Sequence, residues 1–279
     1  MNYQWYPGHM TKAIRMMQEN IKLIDLVIEL LDARIPFSSR NPDIDRLAAG
    51  KFRIVLLGKA DLADPACNRQ WIRYFQERQV PVQEIDSRVK NGMKAVYGMA
   101  REACREKIER DRRRGIVNRP VRAMVVGIPN VGKSTFINSF VGRACAQTGN
   151  RPGVTRGKQW IRLDRGLELL DTPGILWPKF EDQQVGMRLA FIGSLNDETI
   201  LMDELACDLI RCLVRLYPQA LPGRYDIEGT GEPSRVLEQI AEKRGCYGKG
   251  QEPDLERAAA LLVEDFRSGR LGRLTLERP

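Results

Sequence analysis

Lys133 and Ser134 close the segment Gly127-Ile128-Pro129-Asn130-Val131-Gly132-Lys133-Ser134, which fits the spacing GxxxxGK[ST]. That spelling suits the holding of phosphate. Small residues let successive backbone N–H groups face phosphate oxygens, the Lys133 ammonium reaches toward the outer phosphates, and the Ser134 hydroxyl can hold Mg2+ at a helix N-terminus. A second reactive group is the carboxylate of Asp171, which opens Asp171-Thr172-Pro173-Gly174. One strand downstream of a phosphate loop is where a nucleotide enzyme keeps an acid beside the Mg2+ water shell.

These groups need a scaffold. The apolar run Val121 to Val126 predicts a buried strand ahead of the loop, and Thr135 to Val141 a helix after it. Residues 25–32 and 52–57 read as strands, the second ending at Gly58-Lys59-Ala60-Asp61; Trp71 to Arg78 reads as a helix and Val80 to Ile85 as a further strand. Strands separated by helices predict a mainly parallel α/β sheet, whose ligands bind at the strands' carboxyl ends. Trp160 to Leu163 and Leu167 to Leu170 resemble paired strands. The intervening Thr148 to Lys158 is too rich in glycine and polar groups for a core, and is a candidate mobile loop.

At the N-terminal side, a turn-prone Trp5-Tyr6-Pro7-Gly8-His9-Met10 precedes a helix expected from Thr11 to about Lys22, and a polar loop is expected to reach Asn41-Pro42. A helix rich in both charges is expected from Lys94 to Arg113. Its Arg110-Asp111-Arg112-Arg113-Arg114-Gly115 end is either a solvated connection or a contact with nucleic-acid phosphates. Past Pro178 the pattern changes to successive helices over 182–193, 197–217, 233–244 and 254–268, the second with a stripe of Ile200, Leu201, Leu205, Leu209, Leu213 and Leu216. The expected division is therefore an α/β domain over 1–178 and a helical domain over 179–279, with Arg267, Arg270 and Arg273 available on the latter's surface.

Composition sets the broad class. The chain has 279 residues, 43% hydrophobic and 29% charged, with a net charge of +9 that points toward a polyanion or an acidic surface. The six cysteines are scattered and His9 is the only histidine, which argues against a zinc site. Neither a secretory segment nor an apolar span of about 20 residues is evident. A cytoplasmic chain is expected, since Glu19 and Asp25 follow Lys12 and Arg15 too soon for a good mitochondrial presequence.

Set together, Gly127 to Ser134, Thr155 and Asp171 to Gly174 resemble the phosphate loop, switch-one threonine and DxxG motif of a translation-factor-like GTPase. In ordinary members a guanine-reading [NT]KxD motif follows them. Here Gly58-Lys59-Ala60-Asp61 precedes them, so the order is circularly permuted. Tyr6 to Met10, Asp32-Ala33-Arg34-Ile35-Pro36 and Asp265-Phe266-Arg267-Ser268-Gly269 narrow the resemblance to the ribosome biogenesis GTPase A family, over nearly the whole chain. It implies a circularly permuted P-loop GTPase domain with a small C-terminal all-helical domain that binds rRNA. It also implies hydrolysis of GTP to GDP and phosphate in late assembly of the large ribosomal subunit, in a subunit-stimulated cycle. Its implied partners are GTP or GDP and the immature subunit with its rRNA; no DNA partner and no membrane span are expected, and the free chain is expected to be a monomer. The alternative is a nucleotide-controlled rRNA-binding module with negligible intrinsic hydrolysis. A membrane or metal-ion GTPase and an ATP-dependent kinase fit the motif order less well.

The resemblance also implies roles. Lys133 binds the β and γ phosphates, within a nucleotide-binding run of Asn130, Val131, Gly132, Lys133, Ser134 and Thr135. Ser134 and Thr155 coordinate Mg2+, Asp171 acts through metal-bound water, and the Gly174 N–H senses the γ phosphate. Asp61 accepts from guanine N1 and its exocyclic amine, the Lys59 stem covers the base, and Ser87 with Arg88 forms the guanine-supporting loop, Arg88 replacing a small residue. Asn130 matches an asparagine associated with K+. Ile175 and Leu176 stand where a water-orienting glutamine is found in other GTPases, and His9 is the candidate to replace it. Gly58 replaces Asn or Thr, whose lost contacts predict guanine binding weaker by about 1–3 kcal/mol unless something replaces them.

Overall fold

The computed structural model describes residues 8–88, 92–116, 119–142, 144–145, 159–163, 166–177, 180–248 and 250–279, with the backbone alone for Gly8, His9 and Gln159. The apolar runs become strands β1 (Leu26–Asp32), β2 (Phe52–Gly58), β3 (Val82–Glu84), β4 (Val121–Val126), β5 (Gln159–Leu163) and β6 (Leu167–Asp171). They form one sheet in the order β3-β2-β1-β4-β6-β5. β5 pairs antiparallel with β6, and every other pairing is parallel. The phosphate-loop strand β4 comes fourth along the chain yet lies between β1 and β6. Consequently the carboxyl ends of β2, β1, β4 and β6 open on one edge, although their loops are far apart in sequence.

Helices cover both faces. From α1 (Gly8–Asn20) and α2 (Pro42–Leu47), Ala13, Met17 and Ile44 pack on Val27, Met124, Val126 and Leu170. On the other side Trp71 and Phe75 of α3 (Pro65–Glu77) pack on Leu31, Val55 and Leu57. α1 starts at Gly8 rather than Thr11, drawing His9 and the buried Met10 into its first turn. α2 begins where the expected polar loop ends, in a stretch for which no element was expected. Asn41 caps it by accepting from Asp43 N, and Pro42 has its φ already set for a first helical position. The charged helix breaks at Cys104 (φ −100, ψ 11) into α4 (Met93–Ala103) and α5 (Arg105–Arg113). α6 (Lys133–Val141) follows the phosphate loop.

The chain divides into two compact units, Phe180–Leu276 forming one, while Glu277–Pro279 belong with the sheet. There the Glu277 carboxylate accepts from the N–H groups of Phe37 and Ser38 and from the Ser38 hydroxyl. The helical unit contains α7 (Gln183–Phe191), α8 (Met202–Leu216), α9 (Ala220–Tyr225), α10 (Pro233–Arg244) and α11 (Leu255–Arg267). Leu205, Leu209 and Leu213 are buried as the stripe on α8 requires, whereas Leu201 precedes the helix and is exposed. Among the described residues no helix is long and apolar enough to cross a membrane.

Arg267 corrects one expectation. Instead of facing solvent, its guanidinium donates to Phe191 O (3.0 Å) and Ala190 O (2.7 Å) at the end of α7 and pairs with Asp197. Nearby, buried Asp265 accepts from Arg224 and Tyr225, while Arg270 pairs with it from the rim. The Asp265-to-Gly269 motif thus knots this unit together. Arg267→Ala strands the α7 carbonyls and Asp197, and is expected to lower the helical unit's stability by about 2–3 kcal/mol. Hydrogen exchange of α7 and α11 amides should accelerate correspondingly, while Arg113→Ala on α5 leaves it unchanged.

Candidate nucleotide site

The phosphate loop leaves β4 at Gly127, where a Cβ would lie 2.6 Å from Leu30 O of β1, so only glycine can pass. At Gly132 φ is 102°, a left-handed turn that caps the start of α6. Lys133, the first residue of α6, is buried and curls back over the loop, donating to Gly127 O (3.1 Å) and Ile128 O (2.8 Å). Burial lowers its pKa to about 8, with Asp171 opposing the shift. Val131 is buried beneath the loop, and Ser134 and Thr135 are half-buried on α6.

Asp171 ends β6, where burial raises its pKa to about 6 against the pull of Lys133 and a hydrogen bond from the Thr172 backbone. Thr172 Oγ1 donates to Val125 O (2.7 Å), fixing the end of β6 to β4. Asp171 Oδ1 is buried and has no hydrogen-bond partner among the described residues. A buried carboxylate oxygen left unmatched beside a phosphate loop suits a metal's water shell. With the Ser134 hydroxyl on α6, these donors fit Mg2+.

Gly174 packs on the same loop: a Cβ there would lie 2.6 Å from Pro129 Cα, 2.7 Å from Pro129 N and 2.9 Å from Lys133 Nζ. Ile175 N donates to Gly127 O at 3.3 Å, and the Ile175 and Leu176 side chains are wholly buried. They point into the core and cannot orient a water.

A second loop joins from β2. Lys59, itself left-handed at φ 55°, donates to Asn130 O (2.9 Å) in the phosphate loop and pairs with Asp32 (3.0 Å) at the end of β1. Asp32 is fully buried and gripped by Arg34 through Nε (2.9 Å) and Nη2 (2.8 Å). Although burial by itself raises its pKa, the two cations hold that carboxyl well below the usual range. The loop-to-loop tie that Gly58 cannot make is therefore supplied by Lys59. A side chain at position 58 would press on Leu30 Cδ1 at 3.1 Å. Asp32 and Arg34 were not among the residues assigned roles from the sequence. Their signal was Asp-Ala-Arg at the carboxyl end of an expected strand.

Asp61 is ion-paired with Arg88, and the Arg88 N–H donates to Asp86 Oδ1 at 3.0 Å. Ser87 O accepts from Ser139 Oγ, which holds this turn against α6. Thus Lys59, Asn130, Lys133, Asp171 and Gly174 converge directly, and Asp61, Ser87 and Arg88 form an adjoining cluster. Thr155 and the His9 side chain lie outside the described residues.

The two titrations have opposite signs. Asp171 takes up a proton as pH falls through about 6, and Lys133 loses one as pH rises through about 8. If Lys133 meets phosphate and Asp171 a Mg2+ water, both must be charged, and affinity for a Mg2+-nucleotide is then expected to peak between these values and fall on either side. Titrating a fluorescent GDP from pH 5 to 9 checks this, and Asp171→Asn should flatten the acid limb.

Comparison with known proteins bears on the family and the fold. The family described as "50S ribosome-binding GTPase" matches residues 122–240. Ribosome biogenesis GTPase A of Priestia megaterium is 45% identical over 281 residues, spanning 100% of this chain and 98% of the relative. Its Thermotoga maritima counterpart is 34% identical over 275 residues, covering 99% and 94% respectively. The GNP-bound crystal structure of YlqF from T. maritima superposes with a TM-score of 0.71 at 29% identity, covering 96% of this chain and 98% of that one. Sequence similarity along the full length, the permuted sheet and the converging loops agree: the chain is a GTPase and belongs to the ribosome biogenesis GTPase A family.

Proposed function

We propose that this GTPase acts in late assembly of the large ribosomal subunit and that contact with the immature subunit stimulates its turnover. The ribosomal role is supported by the relatives, and the nucleotide switch it requires by the packing of Gly174 on Pro129 and Lys133. A γ phosphate arriving at that seam meets the Lys133 ammonium and the Gly174 turn together, so the turn can respond to the third phosphate. Differential packing of this kind is what a nucleotide switch requires.

In this reading Lys133 holds the β and γ phosphates and the backbone from Asn130 to Thr135 cradles them. Ser134 and Thr155 hold Mg2+, with Asp171 accepting from its water; the ion, when bound, draws charge from the phosphate oxygens. Asn130 serves a K+ ion, and Asp61 with Lys59 and the backbone of the Ser87-Arg88 turn forms the guanine seat. Buried Ile175 and Leu176 leave attack by water dependent on a group brought from elsewhere. His9 is that group, aligned when the N-terminal segment meets the subunit. The helical unit and the basic surface contact rRNA through phosphates and shape, and the free chain is a cytoplasmic monomer.

The test is GTP turnover in Mg2+ and K+ buffer with and without large subunits arrested in assembly. At least tenfold stimulation, lost in His9→Ala, is expected. Equal rates with and without subunits would overturn the proposed cycle, and Na+ in place of K+ should lower the stimulated rate.

A further inference from the structure

Arg88 stands where a small residue supports guanine in related GTPases, and its guanidinium is paired with the Asp61 carboxylate. We propose that Arg88 is an internal competitor for the guanine seat and thereby a determinant of nucleotide affinity and exchange. The inference rests on the reading of Asp61 as the base-recognising carboxylate.

The chemistry of the two donors is matched. The N1–H and 2-amino edge of guanine is a guanidine fragment that presents two parallel N–H groups to a carboxylate, and an arginine side chain presents the same fork. In the structure Arg88 Nη2 engages Asp61 Oδ2, one of the two oxygens a bound guanine would take, so the base cannot hold both oxygens while Arg88 stays. Residue 88 is engaged a second time, because its backbone N–H donates to Asp86 Oδ1 (3.0 Å) and is thereby diverted from a base oxygen. Acceptor and donor of the seat are therefore both occupied by contacts of one residue.

The pair is built to open. The Arg88 side chain is 64% exposed and that of Asp61 24%, and an exposed ion pair shifts an equilibrium by less than about tenfold. Asp86 Oδ1 lies 3.6 Å from Arg88 Nε, so the guanidinium has a second carboxylate at hand when it leaves Asp61. The backbone of the turn need not follow, since Ser139 Oγ holds Ser87 O. A side-chain swing alone exchanges arginine for base.

Arg88→Ala is expected to tighten GDP binding by about 3–10-fold, with most of the gain in the association rate, and Arg88→Gln, which keeps the bulk without the charge, should do nearly the same. Stopped-flow binding of fluorescent GDP reads both quantities. Unchanged or weaker GDP binding by both variants would overturn the proposal, making Arg88 inert or a contributor to the seat. The Asp61→Asn background separates this from failure of the underlying reading. If Asp61→Asn shifts preference from GDP to xanthosine diphosphate, Asp61 reads the base; if it does not, that reading is wrong. In that background Arg88 has no carboxylate at position 61, so Arg88→Ala should change xanthosine diphosphate affinity by less than about twofold. A gain as large as that seen with GDP would show an effect independent of Asp61 and would also overturn the competition.

Discussion

Gly174→Ala is expected to lower GTP turnover by about 100-fold or more while GDP affinity changes only a few-fold. The added Cβ meets Pro129 Cα at 2.6 Å and Pro129 N at 2.7 Å, both backbone atoms that cannot rotate away, and Lys133 Nζ at 2.9 Å. The turn after β6 must therefore lift off the phosphate loop. Its N–H then loses the position from which the proposed switch would meet a γ phosphate, and Lys133 is displaced in the same movement. GDP lacks that phosphate and is affected only through the loop. Gly98 on α4 is the control: nothing lies within 4 Å of a Cβ there, so Gly98→Ala is expected to leave turnover intact and stabilise the helix by up to about 1 kcal/mol. Turnover by the Gly174 variant within threefold of the parent would show that this seam is not part of the switch.

The parts of this site written locally were legible in the sequence. A phosphate loop is a short run of residues, and β4 and α6 flank it as its pattern requires. The sheet edge was legible too, because strand–helix alternation leaves few topologies. Arg267 was misjudged, although it lies four residues after the buried Val263 on α11 and so shares its inward face. Charge at a helix end suggested solvent, and the period argued for the interior. α2 escaped notice because its six residues carry too little apolar periodicity, yet Asn41-Pro42 was a cap signal in plain view. The Asp32-to-Lys59 contact was beyond local reading. It depends on the parallel register that sets Asp32 opposite Gly58, which places the next residue beside the carboxylate.

That contact supports the largest stability effect expected here. Asp32→Ala removes one buried carboxylate and leaves two cations, Arg34 and Lys59, without it, which should cost the sheet unit about 3–5 kcal/mol. Trp71, Trp160 and Trp177 belong to this unit and the stretch Phe180–Leu276 contains no tryptophan, so tryptophan fluorescence during urea unfolding follows the sheet separately from the helices. A loss under 1 kcal/mol would mean that Arg34 finds another partner. Function should suffer as well: Lys59 released from Asp32 no longer holds one position against Asn130 O, and GDP affinity is expected to fall about tenfold. The acid dependence gives an independent check. Because the folded pKa of Asp32 is depressed below its ordinary 3.8, its contribution is fully present above that value and is lost as pH falls toward the folded pKa. Stability of the parent should therefore decline more steeply below about pH 4 than that of Asp32→Asn, which has no such proton to take up. Parallel acid profiles for the two proteins would assign the anchoring of this loop to Arg34 packing rather than to the charge on Asp32.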